Sequence, residues 1–127
     1  MVLFRKHKKR STITRDQALA CTPVRNESVH WTHLPSGLVQ LEYVLMLKPF
    51  LLSIFERFSS KQAEKPKRTL ELDELGTEVW EMLDGNRTTA DIIKEFAARH
   101  GISSHEAEHS ITLFLRALGK RGLIALR

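Results

Sequence analysis

The sequence predicts an α+β domain, in which an N-terminal three-stranded antiparallel sheet is followed by a three-helix bundle and carries an inserted apolar helix. Alternating apolar residues in Ser28–Tyr43 and Thr69–Leu72 are typical of strands. Further along the chain, three stretches with helical periodicity each lie between a capping residue and a turn-forming glycine. Strands followed by closely spaced helices predict this fold class.

The N-terminal part is predicted to contain a tail, a short helix and a hairpin. Residues 1–13 are predicted to form a basic, flexible tail. Thr14–Cys21 is predicted as a helix that ends before Pro23, because proline cannot continue it. In the hairpin Ser28–Tyr43, the turn residues are Leu34–Gly37.

The segment Val44–Phe58 is rich in large apolar residues and is predicted to form an inserted helix, with Pro49 in its first turn. We interpret this helix as a cover for the sheet or as a dimer face. The alternative is an amphipathic anchor that makes peripheral contact with a membrane or with a partner enzyme. Because Ser59–Arg68 is polar and predicted as a linker, residues 44–68 form one insertion within a single domain of residues 14–127.

Residues 69–127 are predicted to form the core of that domain, after the helix and hairpin of residues 14–43. The predicted helix caps are Asp73, Thr88 paired with Asp91, and Ser103 paired with Glu106, and the predicted stops are Gly85, Gly101 and Gly122. On the first helix, Leu75, Val79 and Leu83 are predicted to face the core. The run Leu123–Leu126 is predicted as a short closing strand.

The net charge of +5 is unevenly distributed. Residues 1–15 contain six basic residues and no acidic one, so the remainder of the chain carries −1. A polyanionic partner would therefore meet the N-terminal tail first. Cys21 has no second cysteine with which to form an internal disulfide, and neither a signal peptide nor a membrane-spanning stretch is visible. We expect a cytoplasmic protein.

The second and third helices resemble a helix-turn-helix, and the flanking strands suggest a winged form of it. A DNA-binding transcriptional regulator is therefore the alternative function. The charge pattern argues against it, because Glu106 and Glu108 in the leading turns of the third helix would repel phosphates.

The run His105–His109 matches the H-E-x-x-H pattern of zinc peptidases. A working zinc site needs a third protein ligand, and no Asp, Glu or His follows His109. We interpret the match as a coincidence. The sequence also contains no glycine-rich phosphate loop, so we expect no metal, no cofactor and no enzymatic activity.

The stretch Leu72–Thr88, LDELGTEVWEMLDGNRT, resembles the pattern L-N-x-x-G-x-x-I-W-x-x-L-D-G-x-R-T of PqqD-type domains. The resemblance extends over residues 69–126. It implies a RiPP recognition element, a peptide chaperone that captures the leader of a ribosomally made precursor peptide. Such a chaperone presents the peptide to a modifying enzyme, often a radical SAM enzyme.

The resemblance further implies that the leader adds as a strand to the edge of the third strand, in a groove walled by the third helix. The candidate edge residues are Thr69, Leu70, Glu71 and Leu72. On the helix, Leu113 and Ala117 would form an apolar wall, and Arg116 and Lys120 would meet acidic residues of the leader. The alternative for Leu113 and Ala117 is packing beneath the inserted helix.

Overall fold

The computed structural model describes residues 13–44 and 66–127, and this part of the chain has the predicted α+β class. Its elements are α1 (Arg15–Ala20), β1 (Pro23–Arg25), β2 (His30–His33), β3 (Val39–Val44), β4 (Lys67–Glu71), α2 (Glu74–Met82), α3 (Thr89–His100), α4 (Ser104–Lys120) and β5 (Ile124–Leu126). The predicted basic tail, up to residue 12, and the inserted helix after Val44 lie outside the described residues. The chain divides into two compact units, one formed by Met1–Arg25 with Glu78–Arg127 and the other by Asn26–Thr77.

The unit Asn26–Thr77 contains an antiparallel sheet with the strand order β2-β3-β4. The predicted hairpin is present, and its turn closes with a hydrogen bond of 2.8 Å from the Gly37 N–H to the Leu34 carbonyl. Gly37 has a φ of 90°, a left-handed conformation that glycine adopts without steric cost. The buried face of β3 consists of Val39, Leu41 and Tyr43, as the alternation predicts.

The start of α2 is held within the same unit by two polar side chains. The Asp73 carboxylate accepts the Gly76 N–H at 2.7 Å, so the predicted cap is confirmed. The hydroxyl of Thr77, which is buried, accepts the Val39 N–H at 2.9 Å. This bond satisfies a backbone donor that would otherwise be buried without a partner at the start of β3.

The unit of Met1–Arg25 and Glu78–Arg127 has a core made by three helices and β5. Its most buried side chains include Trp80, Met82, Leu83, Ile92, Ile111, Leu118 and Leu123. Thr88 and Asp91 form the predicted capping box of α3, and Gly101 ends this helix with a φ of 62°. At α4, Ser103 accepts the Glu106 N–H, which is one half of the predicted box.

A second sheet pairs β1 with β5, and the sequence did not predict this pairing. The closing strand near Leu123–Leu126 is confirmed, and Pro23, which is predicted only to end a helix, is the first residue of β1. Thr22 and Arg127 flank the sheet and exchange two backbone hydrogen bonds of 2.8 and 3.0 Å. Proline is tolerated here because Pro23 and Leu126 are not a hydrogen-bonded pair, so position 23 donates no N–H to β5.

The prediction that Leu75 faces the core is wrong, because this side chain is 51% exposed. The buried arc of α2 is defined by Gly76, Val79 and Trp80, which are spaced at i, i+3 and i+4. Leu75 lies in the first helical turn at the margin of that arc, so its spacing from Val79 alone did not identify its environment.

Candidate functional site

The outer edge of β4 is the first candidate peptide-binding surface. Within the described residues, β4 pairs with β3 alone. The Leu72 N–H donates to the Val39 carbonyl at 2.8 Å, which identifies this pair as a hydrogen-bonded one. Because such pairs alternate along an antiparallel ladder, Leu70 also directs its backbone groups toward β3, whereas Thr69 and Glu71 direct theirs outward.

The ladder between β2 and β3 independently gives the same outward direction for the backbone groups of Thr69 and Glu71. The Leu34 N–H donates to the Leu38 carbonyl at 2.8 Å, so by the same alternation Gln40 and Glu42 direct their backbone groups toward β2. Their neighbours on β3, including Leu41, must then bond toward β4. The outer edge of β4 consequently offers the N–H and C=O groups of Thr69 and Glu71.

The four predicted edge residues therefore differ in what they can do. Thr69 and Glu71 have exposed side chains as well as outward backbone groups. Leu70 pairs with the fully buried Leu41, and Leu72 is only 5% exposed. Leu72 is thus a core residue that anchors the strand, and its side chain is not available to a ligand.

The exposed flank of α4 is the second candidate surface. Its buried residues are Ala107, Ile111, Leu115 and Leu118. Leu113 is 50% exposed, and Arg116, Ala117 and Lys120 are also exposed. The inserted helix that was the alternative partner of Leu113 and Ala117 lies outside the described residues.

A groove of about 740 Å³ lies between α1, α4 and β5, and sequence reasoning missed it. Of the four predicted α4 residues, Arg116 is the one that lines this groove. Its lining residues are Ile13, Thr14, Arg15, Ala18, Leu19, Thr89, Glu108, Thr112, Leu115, Arg116, Gly119, Ile124, Ala125 and Leu126. No sequence signal identified it, because the groove depends on the pairing of β1 with β5, two strands of three residues each.

Arg15 and Glu108 form a two-pronged ion pair in the wall of this groove. The guanidinium Nε and Nη2 atoms donate to the two carboxylate oxygens at 2.6 and 2.7 Å. These hydrogen bonds hold the pKa of Glu108 below its ordinary value and raise the pKa of Arg15. The pair links α1 to α4, and it leaves the Glu108 carboxylate engaged with a cation.

We expect Arg15→Met to raise the pKa of Glu108, because the charged carboxylate loses its hydrogen-bond donors. A titration of the Glu108 side-chain ¹³C resonance measures this. Since the pKa is lower in the folded chain than in the unfolded chain, the pair stabilises the fold above the ordinary carboxyl pKa. That contribution disappears as the pH falls through the lowered pKa.

The free energy of unfolding of the wild type should accordingly fall more steeply in acid than that of Arg15→Met. Arg99→Met is the control, since Arg99 contacts Glu95 on its own helix α3 and Glu78 on α2, and should leave the Glu108 titration unchanged. An unaltered pKa in Arg15→Met would show that the ion pair does not form in solution.

His105 and His109 are both exposed on α4. In residues 13–44 and 66–127, no group of three or more His, Cys, Asp or Glu side chains is arranged to hold a metal ion. The same part of the chain has no helix whose length and apolar character would allow it to span a membrane.

A protein-family model described as coenzyme PQQ synthesis protein D (PqqD) matches residues 62–124. This segment begins just before β4 and includes α2, α3, α4 and the first residue of β5. Searches of curated proteins and of solved structures gave no significant match. The match covers the motif Leu72–Thr88 from which the resemblance was recognised, and through residues 62–124 the chain belongs to the PqqD family.

Proposed function

We propose that this protein captures the leader of a ribosomally synthesised precursor peptide and presents it to a modifying enzyme of the radical SAM type. Members of the PqqD family are peptide-binding accessory proteins of peptide-modification biosynthesis and are not catalysts. The observation that supports the proposal most directly is the outer edge of β4, which no described strand covers.

The proposed mode of capture is strand addition. An extended leader lying along β4 would exchange backbone hydrogen bonds with Thr69 and Glu71, whose N–H and C=O groups point outward. Backbone bonds of this kind are independent of sequence, so they supply affinity. Leu70 and Leu72 serve by anchoring the strand to β3.

The exposed flank of α4, which belongs to the other unit, is proposed as a second and separate surface that selects the leader. Leu113 and Ala117 offer apolar surface, and Arg116 and Lys120 offer positive charge to acidic residues of the leader. The complementary charges would mainly increase the association rate, and they make it sensitive to salt. The enzyme that receives the peptide would supply all of the chemistry.

The DNA-binding alternative receives no support from the family match. Although α3 and α4 are joined by the short turn Gly101–Ser103, Glu106 lies exposed in the first turn of α4, where a recognition helix would approach phosphates. We therefore propose that α3 and α4 serve as a scaffold for peptide binding.

A titration of the ¹⁵N-labelled protein with the leader of a precursor peptide encoded beside its gene tests the proposal. We expect saturable shifts of the Thr69 and Glu71 amides and of amides from Leu113 to Lys120. A scrambled leader of the same composition is the control, since it keeps the charge and loses the order of side chains. Shifts confined to the basic residues 1–13 would contradict the proposal, because they would indicate attraction by charge alone.

A further inference from the structure

The groove between α1, α4 and β5 contains a second strand edge, which lies in a different unit from β4. Three consecutive residues of β5, Ile124, Ala125 and Leu126, line it. A cavity against one face of a strand would be lined by alternate residues, since side chains alternate between the two faces. The groove therefore runs along the edge of β5.

The pairing with β1 determines which backbone groups that edge presents. Thr22 and Arg127 exchange reciprocal hydrogen bonds, so the hydrogen-bonded pairs are this one and, two residues inward, Val24 with Ala125. Ile124 and Leu126 fall in the alternate pairs, and their N–H and C=O groups point away from β1. No strand in the described part of the chain pairs with this side of β5.

The chemistry of the lining is apolar with one available cation. Aliphatic groups from all three elements contribute, and Leu126 is 42% exposed although it borders the groove. Of the three charged residues in the lining, Arg15 and Glu108 are already paired with each other. Arg116 is exposed and has no ion-pair partner among residues 13–44 and 66–127.

We propose that this groove binds an extended segment of a partner protein other than the leader, as a strand added to β5. The segment has aliphatic residues at alternate positions and a carboxylate on the same side. Its backbone forms hydrogen bonds with Ile124 and Leu126, and its aliphatic side chains fill the groove between α1 and α4. Its carboxylate forms an ion pair with Arg116. The edges of β5 and β4 belong to separate units, so a substitution at one strand edge tests one site alone, whereas Arg116 is used in both proposals.

The probe is a peptide, Val-Thr-Val-Thr-Glu, that carries fluorescein on its N-terminal amine and is amidated at its C-terminus. As a strand it places both valines and the glutamate on one side. Fluorescence anisotropy should show saturable binding to the full chain. Arg116→Glu should weaken that binding about tenfold or more, because a charge-assisted hydrogen bond becomes a repulsion. The charge reversal Lys94→Glu, at an exposed position on α3, is the matched control and should bind as the wild type does.

Binding at the strand edge is tested by altering the backbone of the probe and, separately, the backbone of the protein. A probe methylated on its two valine nitrogens keeps its side chains but loses donors, and its binding to the wild type should fall about tenfold or more. Leu126→Pro removes an outward N–H while leaving the bonds to β1, and should weaken the unmodified probe similarly. Thr69→Pro, which alters the β4 edge, should leave probe binding unchanged.

Absence of saturable binding to the wild type would overturn the proposal. So would equal binding of the methylated and unmodified probes, or wild-type affinity in Arg116→Glu. A loss of probe binding in Thr69→Pro would assign the probe to β4 and would equally reject the site at β5.

Discussion

Replacement of Thr69 by proline is expected to weaken leader binding at least about tenfold while leaving the sheet folded. The N–H at this position points away from β3, so proline removes only the donor that an added strand would use. The added strand would also meet the proline ring along its backbone. Loss of that hydrogen bond, at about 0.5–1.5 kcal/mol, together with the loss of close approach along the edge, predicts an affinity at least about tenfold weaker.

Leu70→Pro is the matched variant at the adjacent position. Its N–H points toward β3, so the same substitution there leaves the Leu41 carbonyl without its donor and should destabilise the protein by about 1–3 kcal/mol. Circular dichroism in urea measures the stability of both variants, and isothermal titration measures leader affinity. Normal leader affinity in a folded Thr69→Pro variant would exclude strand addition at β4.

Replacement of Trp80 by alanine is expected to produce the largest loss of stability. The indole is completely buried, and the Arg25 guanidinium lies 5.3 Å from the ring centroid. The same guanidinium donates to the Trp80 carbonyl at 2.6 and 3.2 Å, so this residue joins β1 to α2 through its ring and its backbone. Truncation of a buried tryptophan typically costs about 3–5 kcal/mol, which is a large fraction of the total stability of about 5–15 kcal/mol of a small domain.

Urea denaturation followed by far-UV circular dichroism measures this loss, since removal of an indole also alters the fluorescence. The matched variant is Trp31→Ala, which removes the other tryptophan from a position that is only partly buried. We expect its cost to be clearly smaller. Equal midpoints for the two variants would indicate that Trp80 is not the central packing residue of its unit.

The elements that the sequence predicted well are those with local signals. Residues that cap helix ends, such as Thr88, Asp73 and Gly101, form hydrogen bonds with backbone groups only a few positions away in the chain. The alternation in β3 is similarly local, and Leu41 is fully buried as it implies. Such signals depend on spacing along the chain and need no knowledge of distant partners.

The features that the sequence did not predict depend on contacts between distant residues. Pro23 belongs to a strand only because residues close to Arg127 pair with that segment. The ion pair of Arg15 with Glu108 joins positions 93 residues apart, and no spacing rule relates them. The groove that these contacts create could therefore not be predicted, although its cation Arg116 was selected for its charge.

The same applies within the predicted edge. Thr69, Leu70, Glu71 and Leu72 were equivalent candidates in the sequence, since alternation alone does not say which backbone groups point outward. The hydrogen bond from Leu72 to Val39 separates them into two outward and two inward positions. The sequence thus predicted which strand forms the candidate site. The role of each residue in that strand follows only from the register of β4 against β3.

The pairing of Val24 with Ala125 has a consequence for synthesis on the ribosome. About a hundred residues separate these two positions, and translation at about 5–20 residues per second takes roughly 5–20 s to cross that distance. Throughout this interval β1 has emerged without its partner, and its backbone is available to any other extended chain. A nascent-chain protease assay should find the segment around Val24 susceptible to cleavage until translation has passed Leu126 and the exit tunnel has released it.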